Sequence, residues 1–292
     1  MRLVGYNTQF SRGRDGQIDI GRMLEAVESA DVIALQEIER HWLHSGDTDQ
    51  PAEIAARLPK HHWVYGPYFD VDASRVAADG TVGNRRRQFG TMTLSRWPIL
   101  SSRLHTLPKH ATGMVFNMAA GVLEAVIDAP GGPLRVYNLH LSDITPDERL
   151  AQIARLFHVL WTAPQEGGAW TGSDPDWQSD QPPPMPAEAI VMGDFNLRPG
   201  SPEYEALVGP KDPDFGYGRV DVSHRLVDTW VATGHREDEG ITFPPAPEQG
   251  YDEGFRVDYI FVTLGLAPRV KSGWIDDHAA GSDHQPVWVE LA

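Results

Sequence analysis

The chain has 292 residues, of which 41% are hydrophobic, and its 41 acidic residues outnumber 25 Lys and Arg for a formal net charge of −16. This length allows one large domain or two small ones. Non-specific binding of duplex DNA is disfavoured by this acidic charge, because the phosphate contacts that supply most of its affinity need a basic face. Cys is absent, which excludes disulfides, thiolate metal sites and Cys nucleophiles.

The N-terminal segment enters a strand pattern directly, without the basic and then apolar residues of a leader. No apolar run approaches the roughly 18 residues that a membrane span needs. We therefore expect a cytoplasmic protein, although a chain from which a leader had been removed would look the same. Nothing in the sequence demands an oligomer, and we expect a monomer.

Short apolar runs, bounded by turn-forming residues, predict strands throughout the chain. In chain order they cover residues 3–10, 32–38, 63–68, 89–94, 120–127, 134–141, 189–192, 226–231, 257–262 and 287–291.

Helical patterns are fewer, at residues 18–30, 51–58, 146–161 and 202–208. The clearest is 146–161, where Thr145 is a candidate N-cap, Pro146 suits the first helical position and Glu148 completes a capping box. Its apolar stripe at helical spacing is typical of a core-facing helix.

Many strands and few, unevenly placed helices predict an α+β fold in which two packed sheets have helices outside. Residues 164–186 are rich in Pro, Gly, Ser and Asp, which suits either a linker or a surface loop. Because strand patterns resume directly after them, we expect one catalytic domain over 1–292 with 164–186 as a surface loop. A second polar loop is expected at 70–84.

Gly193-Asp194-Phe195-Asn196 is the most informative motif. It follows the apolar run 189–192 and precedes a loop, so an acid and an amide two residues apart stand at the mouth of a buried strand. The acid could orient a water or hold a metal, and the amide could donate to a phosphate oxygen. A simple strand-end turn is the alternative, since Asp and Asn are common turn formers.

Polar residues of the same kind stand at the ends of other apolar runs. Glu37 is the strongest metal-ligand candidate, because an acid in so apolar a strand costs several kcal/mol unless it is paired or metal-bound. For Asp258 the alternative is a salt bridge to Arg256, two residues away on the same strand face. Without Cys, oxygen ligands favour a hard ion such as Mg²⁺ or Mn²⁺. The whole set is Asn7, Glu37, His140, Asp194, Asn196, Asp258, Asp283 and His284.

These motifs, in this order, resemble the endonuclease/exonuclease/phosphatase superfamily, also described as deoxyribonuclease-I-like. The resemblance runs from Asn7 to Pro286: an early Asn, a Gln-Glu, an Asn-x-His-Leu, a Gly-Asp-Phe-Asn, an Arg-x-Asp-Tyr-Ile and a Ser-Asp-His. It implies a four-layer αββα sandwich of two mixed sheets packed face to face, with the site at one edge.

The resemblance also implies roles for these residues. Glu37 binds the divalent metal with help from Asn7 and Asp283, and Asp194 orients or deprotonates the attacking water. Asn196 and His140 contact the phosphate. Asp258 orients His284, which acts as a base or as a charged phosphate clamp.

The resemblance gives a reaction type but no substrate. We expect a metal-dependent phosphodiesterase or phosphatase acting on a small or lipid-derived phosphoester, given the acidic net charge. The alternative is an endo- or exonuclease on DNA or RNA, whose basic rim would comprise Arg85, Arg86, Arg87, Lys109 and Arg149, with Arg86, Arg87 and Lys109 as the substrate-binding candidates. A solvated loop is the other interpretation of Arg85 to Arg87.

A lipid substrate would need an apolar entry surface, and aromatic residues in or beside loops are the candidates. Ordinary packing is the alternative for them. A catalytically dead scaffold is a further alternative, but none of the motif residues is missing. The aromatic candidates are Trp42, Trp63, Tyr68, Phe69, Trp170 and Trp177.

Overall fold

A computed structural model of the chain describes residues 1–176, 181–212, 214 and 219–292. Trp177, one of the predicted aromatic candidates, lies outside the described residues. The strands are β1 Arg2–Asn7, β2 Val32–Arg40, β3 His62–Asp72, β4 Arg75–Val76, β5 Val82–Gly83, β6 Arg86–Ser95, β7 Ile99–Thr106, β8 Gly121–Ile127, β9 Leu134–His140, β10 Ala189–Asp194, β11 Leu226–Asp228, β12 Asp258–Thr263, β13 Val270–Ile275 and β14 Val287–Leu291. The helices are α1 Ile20–Glu25, α2 Gln50–Arg57, α3 Pro146–Glu166, α4 Pro202–Val208 and α5 Thr229–Ala232, and 3-10 turns cover Gln9–Ser11, Pro247–Gln249 and Leu264–Arg269.

The strands form two six-stranded sheets. The first has the order β13-β14-β1-β2-β6-β3, and the second has the order β11-β12-β10-β9-β8-β7. Both sheets are mixed, because β1 pairs in parallel with β2 and β9 in parallel with β10, whereas their other pairings are antiparallel.

Central strands are apolar on both faces, and successive residues enter different cores because strand side chains alternate. On β10, Ile190 and Met192 join the core between the sheets, whereas Ala189 and Val191 join the core under α3. On β2, Ile33 and Leu35 face α1 and α2 instead. Three apolar layers therefore separate four structural layers, which confirms the predicted αββα sandwich.

Most predicted strands are confirmed, and the errors lie at their ends. β1 stops at Asn7 rather than at residue 10, because Gln9, Phe10 and Ser11 have positive φ angles and form a 3-10 turn. The run 226–231 ends as a strand at Asp228, whose carboxylate then caps α5 by accepting a hydrogen bond from the Trp230 amide.

Four strands were not predicted: β7, β13 and the two short strands β4 and β5. Every second residue of β7 is exposed, and β13 is partly exposed along its length, so neither has the apolar run that marks a buried strand. Both lie at a sheet edge. The predicted loop 70–84 holds the end of β3 and the small β4–β5 hairpin, where Val76 pairs with Val82.

The N-cap prediction for α3 is confirmed, since the Thr145 hydroxyl accepts a hydrogen bond from the Glu148 amide at 3.2 Å. The Glu148 carboxylate, predicted to complete a capping box, instead accepts from the His110 amide at 2.9 Å and from Asn117 Nδ2 at 3.0 Å. The helix is longer than predicted: it continues through Pro164 to Glu166, into the segment expected as a loop, and ends on a left-handed Gly167. By contrast, α1 covers only Ile20–Glu25 of the predicted 18–30. None of the described helices combines the length and apolar composition needed to cross a membrane.

Candidate active site

The ends of three adjacent strands place three predicted residues side by side. Asp194, the last residue of β10, pairs in register with His140 at the end of β9 and with Asp258 at the start of β12. In the facing sheet, Asn7 ends β1. Its side-chain Nδ2 lies 2.8 Å from an Asp194 oxygen, so the site bridges the edge of both sheets.

The backbone around Asp194 explains why Gly and Asn flank it. Gly193 has φ +147°, and a Cβ built there would lie 2.0 Å from the Leu139 carbonyl oxygen, so only Gly lets β10 approach β9 at this level. Asn196 has φ +50°, which Asn tolerates better than most residues. The Asn196 backbone amide donates to Asp194 Oδ1 at 2.9 Å, which closes a local turn. The strand-end turn that the sequence offered as an alternative is therefore present, and it positions the side chains of both Asp194 and Asn196.

Asn196 faces His140 across this turn. Its Nδ2 donates to the Leu141 carbonyl at 2.9 Å and lies 3.1 Å from His140 Nε2. His140 Nε2 is also 3.6 Å from Asp194 Oδ2. The amide and the imidazole thus stand together beside Asp194, as the phosphate-contacting roles require.

A β-bulge presents Glu37. Leu35 pairs with Met92 and Ile38 with Gly90, so two residues of β2 stand opposite one residue of β6. Glu37 takes a left-handed φ of 57° inside the strand. Bulges redirect a side chain at the rim of a sheet, and this one directs the Glu37 carboxylate to Asn7, whose Nδ2 donates to Oε1 at 3.0 Å.

The Asn7 amide nitrogen is the meeting point of the site. It donates to Glu37 at 3.0 Å and to Asp194 at 2.8 Å, and it lies 3.5 Å from His284 Nε2. Two carboxylates share this one donor, which leaves an excess of acceptors. Burial raises the pKa of Glu37, and the charge of His140 opposes that effect without cancelling it.

Asp258 and His284 form a buried pair, with His284 Nδ1 2.8 Å from Asp258 Oδ2. The alternative interpretation, a salt bridge between Asp258 and Arg256, is wrong. Arg256 instead donates a hydrogen bond to Asp228 Oδ2 at 2.9 Å. Burial alone would lower the pKa of His284, but the charge and hydrogen bond of Asp258, with the charge of Asp194, raise it well above its usual value. The pairing therefore favours the cationic form of His284.

Residues 4–284 match the Endonuclease/Exonuclease/phosphatase family. The chain belongs to this family. Family members are hydrolases of phosphoesters, and that is the class of chemistry to which the strand-end constellation belongs. No curated protein matches the sequence.

Solved structures of family members share the fold. A Bacteroides vulgatus endonuclease/exonuclease/phosphatase aligns with a TM-score of 0.64 at 18% identity, covering 100% of this chain and 98% of that one. A mannosyl-6-phosphatase from Bacteroides thetaiotaomicron gives 0.61 at 16% identity, with coverages of 100% and 99%. The human Nocturnin catalytic domain, solved with sulfate bound, gives 0.60 at 17% identity, with coverages of 100% and 93%.

The donor set of this family member fits a hard divalent cation. Asp194, Asp258 and His284 each bring one potential ligand atom within 4.8 Å of the others. His284 is a poor member of that trio, because a protonated imidazole cannot ligate a metal. Carboxylate oxygens suit Mg²⁺ or Mn²⁺, so Glu37 and Asp194 are the better pair. The Asn7 oxygen accepts a hydrogen bond from the Gln9 amide at 3.1 Å, and its Nδ2 faces both carboxylates, so ligation by Asn7 stays a prediction.

The third predicted metal ligand, Asp283, lies slightly apart. Its Oδ2 accepts a hydrogen bond from Gln9 Nε2 at 2.7 Å, and no hydrogen bond among the described residues joins it to Glu37 or Asn7. Burial raises its pKa, an effect that the His284 charge opposes. Its role as a ligand stays a prediction.

The site opens into a cavity of about 430 Å³. Glu37, His140, Asp194, Asn196 and His284 all line it. Of the aromatic candidates, Trp42 and Tyr68 line it too, and Phe69 lies against Trp42 with ring centroids 5.4 Å apart. Trp63 and Trp170 are not among the lining residues.

None of the predicted basic residues lines this cavity. Arg86 donates to Asp70 at 2.7 Å, and Arg87 donates to the His41 carbonyl while lying over the Trp42 ring. Lys109 is exposed and bonds the neighbouring His110 carbonyl. Of the remaining rim residues, Arg85 pairs with Asp47 and Arg149 with Glu203.

Sequence reasoning missed residues that hold the site in place. The Thr242 hydroxyl accepts hydrogen bonds from the amides of Val257 and Asp258 at 3.0 and 3.1 Å. The Ser282 hydroxyl donates to the Asn7 carbonyl at 2.7 Å and accepts from the His284 amide at 3.1 Å, tying the two ends of the chain together. The Ser-Asp-His motif pointed to Ser282, but nothing in the sequence singled out Thr242.

Proposed function

We propose that this chain is a single-domain, metal-dependent hydrolase that cleaves a small or lipid-derived phosphoester by in-line attack of water. The observation that carries the proposal is that Glu37, Asp194 and His284, which line the cavity, converge on the buried Asn7 amide. Acids and a cation held around one point suit phosphoryl transfer, which depends on positioning and on neutralising phosphate oxygens.

Mg²⁺ or Mn²⁺ would be held by Glu37 and Asn7, with Asp194 beside them. When bound, such an ion acts as a Lewis acid toward a phosphate oxygen and lowers the pKa of a bound water. Two features support a role for a bound cation: two carboxylates share one amide donor, and burial raises the pKa of Glu37.

Asp194 is the group that would orient and deprotonate the attacking water. It is 1% exposed, and hydrogen bonds from Asn7 and from the Asn196 backbone fix both of its oxygens. The chain has no Cys nucleophile, and the proposed course is direct attack by water without a covalent intermediate. Inversion at a chiral phosphorus would support this course, and retention would contradict it.

His284 would serve as a charged clamp on the phosphate. The Asp258 carboxylate fixes the Nδ1 side of the ring, which leaves Nε2 directed toward Asp194 at 3.8 Å. A cation held in place before the reaction stabilises charge that develops on the phosphate oxygens. Asn196 and His140 would contact the same phosphate from the other side of Asp194.

The preference for a small or lipid-derived ester over nucleic acid is supported by charge. The net charge is −16, and the Arg side chains of the predicted basic rim are paired with acids or with a backbone carbonyl. Substrate binding by Arg86, Arg87 and Lys109 stays a prediction, and it concerns long substrates because these residues lie outside the cavity lining. We also expect a cytoplasmic monomer.

The test is hydrolysis across one panel with Mg²⁺ or Mn²⁺, with Asp194→Asn as the blank. The panel contains a phosphomonoester, a simple phosphodiester, sphingomyelin and other phospholipids, and single- and double-stranded DNA. We expect metal-dependent turnover of the small or lipid esters that Asp194→Asn lacks. Preferential DNA cleavage with a steep salt dependence would indicate a nuclease instead, and no turnover of any member above the blank would contradict the proposal.

A further inference from the structure

The cavity at the site has a polar floor and aromatic walls. The carboxylates and imidazoles described above form the floor. Separate segments supply the walls: Phe10 and Trp42 come from the residues after β1 and β2, Phe89 from β6, Phe116 from the segment before β8, and Tyr251 from the segment before β12.

Aromatic rings contact the floor directly. Phe243 lies edge-on to His284, with ring centroids 5.2 Å apart, and Phe89 lies 6.3 Å from His140. Phe243 also stacks on Phe255 at 5.2 Å and meets Tyr251 edge-on at 5.6 Å. A group attached to a phosphate on the floor would therefore meet ring surfaces within a few ångströms.

The lining carries no side chain that would bind a second anion strongly. Among the described residues that line the cavity, none is Lys or Arg, whereas Glu37, Glu39, Asp143 and Asp194 are acids. Outside the site, the one imidazole among these described lining residues is His44, which is held by Glu39, with its Nε2 3.0 Å from the Glu39 Oε1. Arg198 stacks on Phe255 at 4.0 Å but is not a lining residue. One phosphate can be neutralised by the metal and His284, but a further phosphate or carboxylate would face acids and rings.

We propose that the organic group of the substrate is apolar and uncharged and that it packs into this aromatic cavity, with Phe116 and Tyr251 as specificity-determining residues. This inference rests on the proposed phosphoester hydrolysis and names the chemistry of the ester group. An aryl group and the proximal part of an alkyl chain share this chemistry. The binding of either group becomes more favourable in proportion to the apolar surface that is removed from water.

A neighbouring cavity is mixed in charge. It has a volume of about 570 Å³, shares Phe243 and Gln249 with the first cavity, and is lined by Arg12 and Arg14 together with three acids, Asp15, Glu248 and Asp283. If its two Arg side chains governed substrate choice, the preferred ester group would be anionic. The aromatic cavity and this Arg pair thus predict opposite rankings of otherwise similar ligands.

Phosphonates allow the ranking to be measured without turnover. We would titrate the whole chain in Mg²⁺ with methylphosphonate, phenylphosphonate and 4-carboxyphenylphosphonate by calorimetry. Phenylphosphonate should bind about tenfold more tightly than methylphosphonate, as expected from burying roughly half of a phenyl ring's surface. The added carboxylate should remove most of that gain. The affinities of hexylphosphonate and octylphosphonate then distinguish the two sources. Tighter binding than phenylphosphonate indicates an alkyl chain, and weaker binding indicates an aryl group.

Two exposed wall residues can be changed without threatening the core, since Phe116 is 72% exposed and Tyr251 is 43% exposed. The Phe116→Ala, Tyr251→Ala double variant should reduce the preference for phenylphosphonate to less than about threefold while leaving methylphosphonate affinity unchanged. Met114→Ala is the matched control, because Met114 lies on the same segment, is 99% exposed and does not line the cavity. It should keep the full preference.

Equal affinity of the wild-type chain for methyl- and phenylphosphonate, or tighter binding of the carboxylated ligand, would overturn the inference. So would a double variant that weakens all ligands by the same factor, which is what a merely structural defect would cause. Failure of every phosphonate to bind would also overturn it. The proposed hydrolysis fails only if metal-dependent turnover above the Asp194→Asn blank is absent as well, so the two failures are distinguishable.

Discussion

Two buried acid clusters behave in opposite ways. At the strand ends of the second sheet, Asp194 and Asp258 are neighbours in register, and Glu37 of the facing sheet shares one amide donor with Asp194. Further along the sheet, Glu124 on β8 lies between Arg103 on β7 and Tyr137 on β9, which are its register partners. Pairing between neighbouring strands assembles both clusters. In the Glu124 cluster each carboxylate oxygen has a donor of its own, whereas at the site Glu37 and Asp194 share the Asn7 donor.

The Glu124 cluster is saturated. Arg103 donates to its two oxygens at 2.8 and 3.0 Å, and the Tyr137 hydroxyl donates at 2.8 Å. Burial alone would raise the pKa of Glu124, but the donors His105, Arg103 and Tyr137 lower it to about 2. At the site, in contrast, burial raises the pKa of both Glu37 and Asp258.

The difference separates a structural acid from a functional one. Hydrogen bonds and an opposite charge from the protein make a buried acid a source of stability, whereas acids left in excess favour a cation from outside. The comparison predicts that changes at one cluster affect activity and changes at the other affect folding.

The largest expected effect is on turnover at the site. His284→Ala should reduce metal-dependent hydrolysis by about 10³-fold, because it removes a fixed charge aimed at the phosphate. The fold should be kept, as judged by circular dichroism. His105→Ala is the matched control, since its imidazole also lies near a buried acid, 3.5 Å from Glu124. Near-wild-type rates in His284→Ala would refute the assigned role.

The next effect is on folding. Glu124→Gln should lower the free energy of unfolding by about 3 kcal/mol in urea titrations, because it removes the buried charge of the pair and leaves Arg103 with only the half-exposed Glu166 as a charge partner. Hydrolysis by the folded variant should not change. Glu166→Gln removes the half-exposed partner of the same Arg103 and should cost less than about 1 kcal/mol. Equal losses in the two variants would contradict a buried, saturated cluster.

The pH dependence of this stability has a defined sign. The pKa of Glu124 is lowered from 4.5 to about 2 on folding, so its contribution of about 3 kcal/mol is present above pH 4.5 and is lost as the pH falls toward 2. The difference in unfolding free energy between wild type and Glu124→Gln should shrink over this interval. A difference that stays constant with pH would count against the pKa assignment.

Metal binding should stabilise the site but leave the other cluster unaffected. Mg²⁺ at about 100 times its Kd should raise the free energy of unfolding by about 2.7 kcal/mol through ligation to the folded state alone. Thermal unfolding should show this shift in wild type and in Glu124→Gln but not in Glu37→Gln. A full shift in Glu37→Gln would exclude Glu37 as a ligand.

The smallest effects are expected for the basic residues outside both clusters. Arg86→Ala removes a half-exposed pair with Asp70 and should change stability by less than about 1 kcal/mol. For a small phosphoester, KM should change less than about twofold, since Arg86 does not line the cavity. A large rise in KM restricted to oligonucleotides would instead favour the nuclease alternative.

Much of the site could be predicted because its residues lie at the ends of apolar runs, which mark the ends of strands. Asn7, Glu37, His140, Asp194, Asn196, Asp258 and His284 stand where apolar runs stop, and the structure brings these residues together. What could not be predicted depends on partners remote in sequence. Arg256 had a plausible partner two residues away, yet it bonds Asp228, 28 residues away.

The sequence by itself determined the sandwich class and the strand-end residues, because strand alternation and turn chemistry are local properties of the chain. Only the tertiary structure decided which acids are satisfied, which Arg side chains are already paired, and where aromatic rings enclose the site. Those outcomes depend on segments distant in sequence that come together in the fold. Phe116 and Tyr251 line one cavity, and Ser282 bonds Asn7. Whether a buried charge is neutralised is set by all the elements packed around it, and no single segment contains that information.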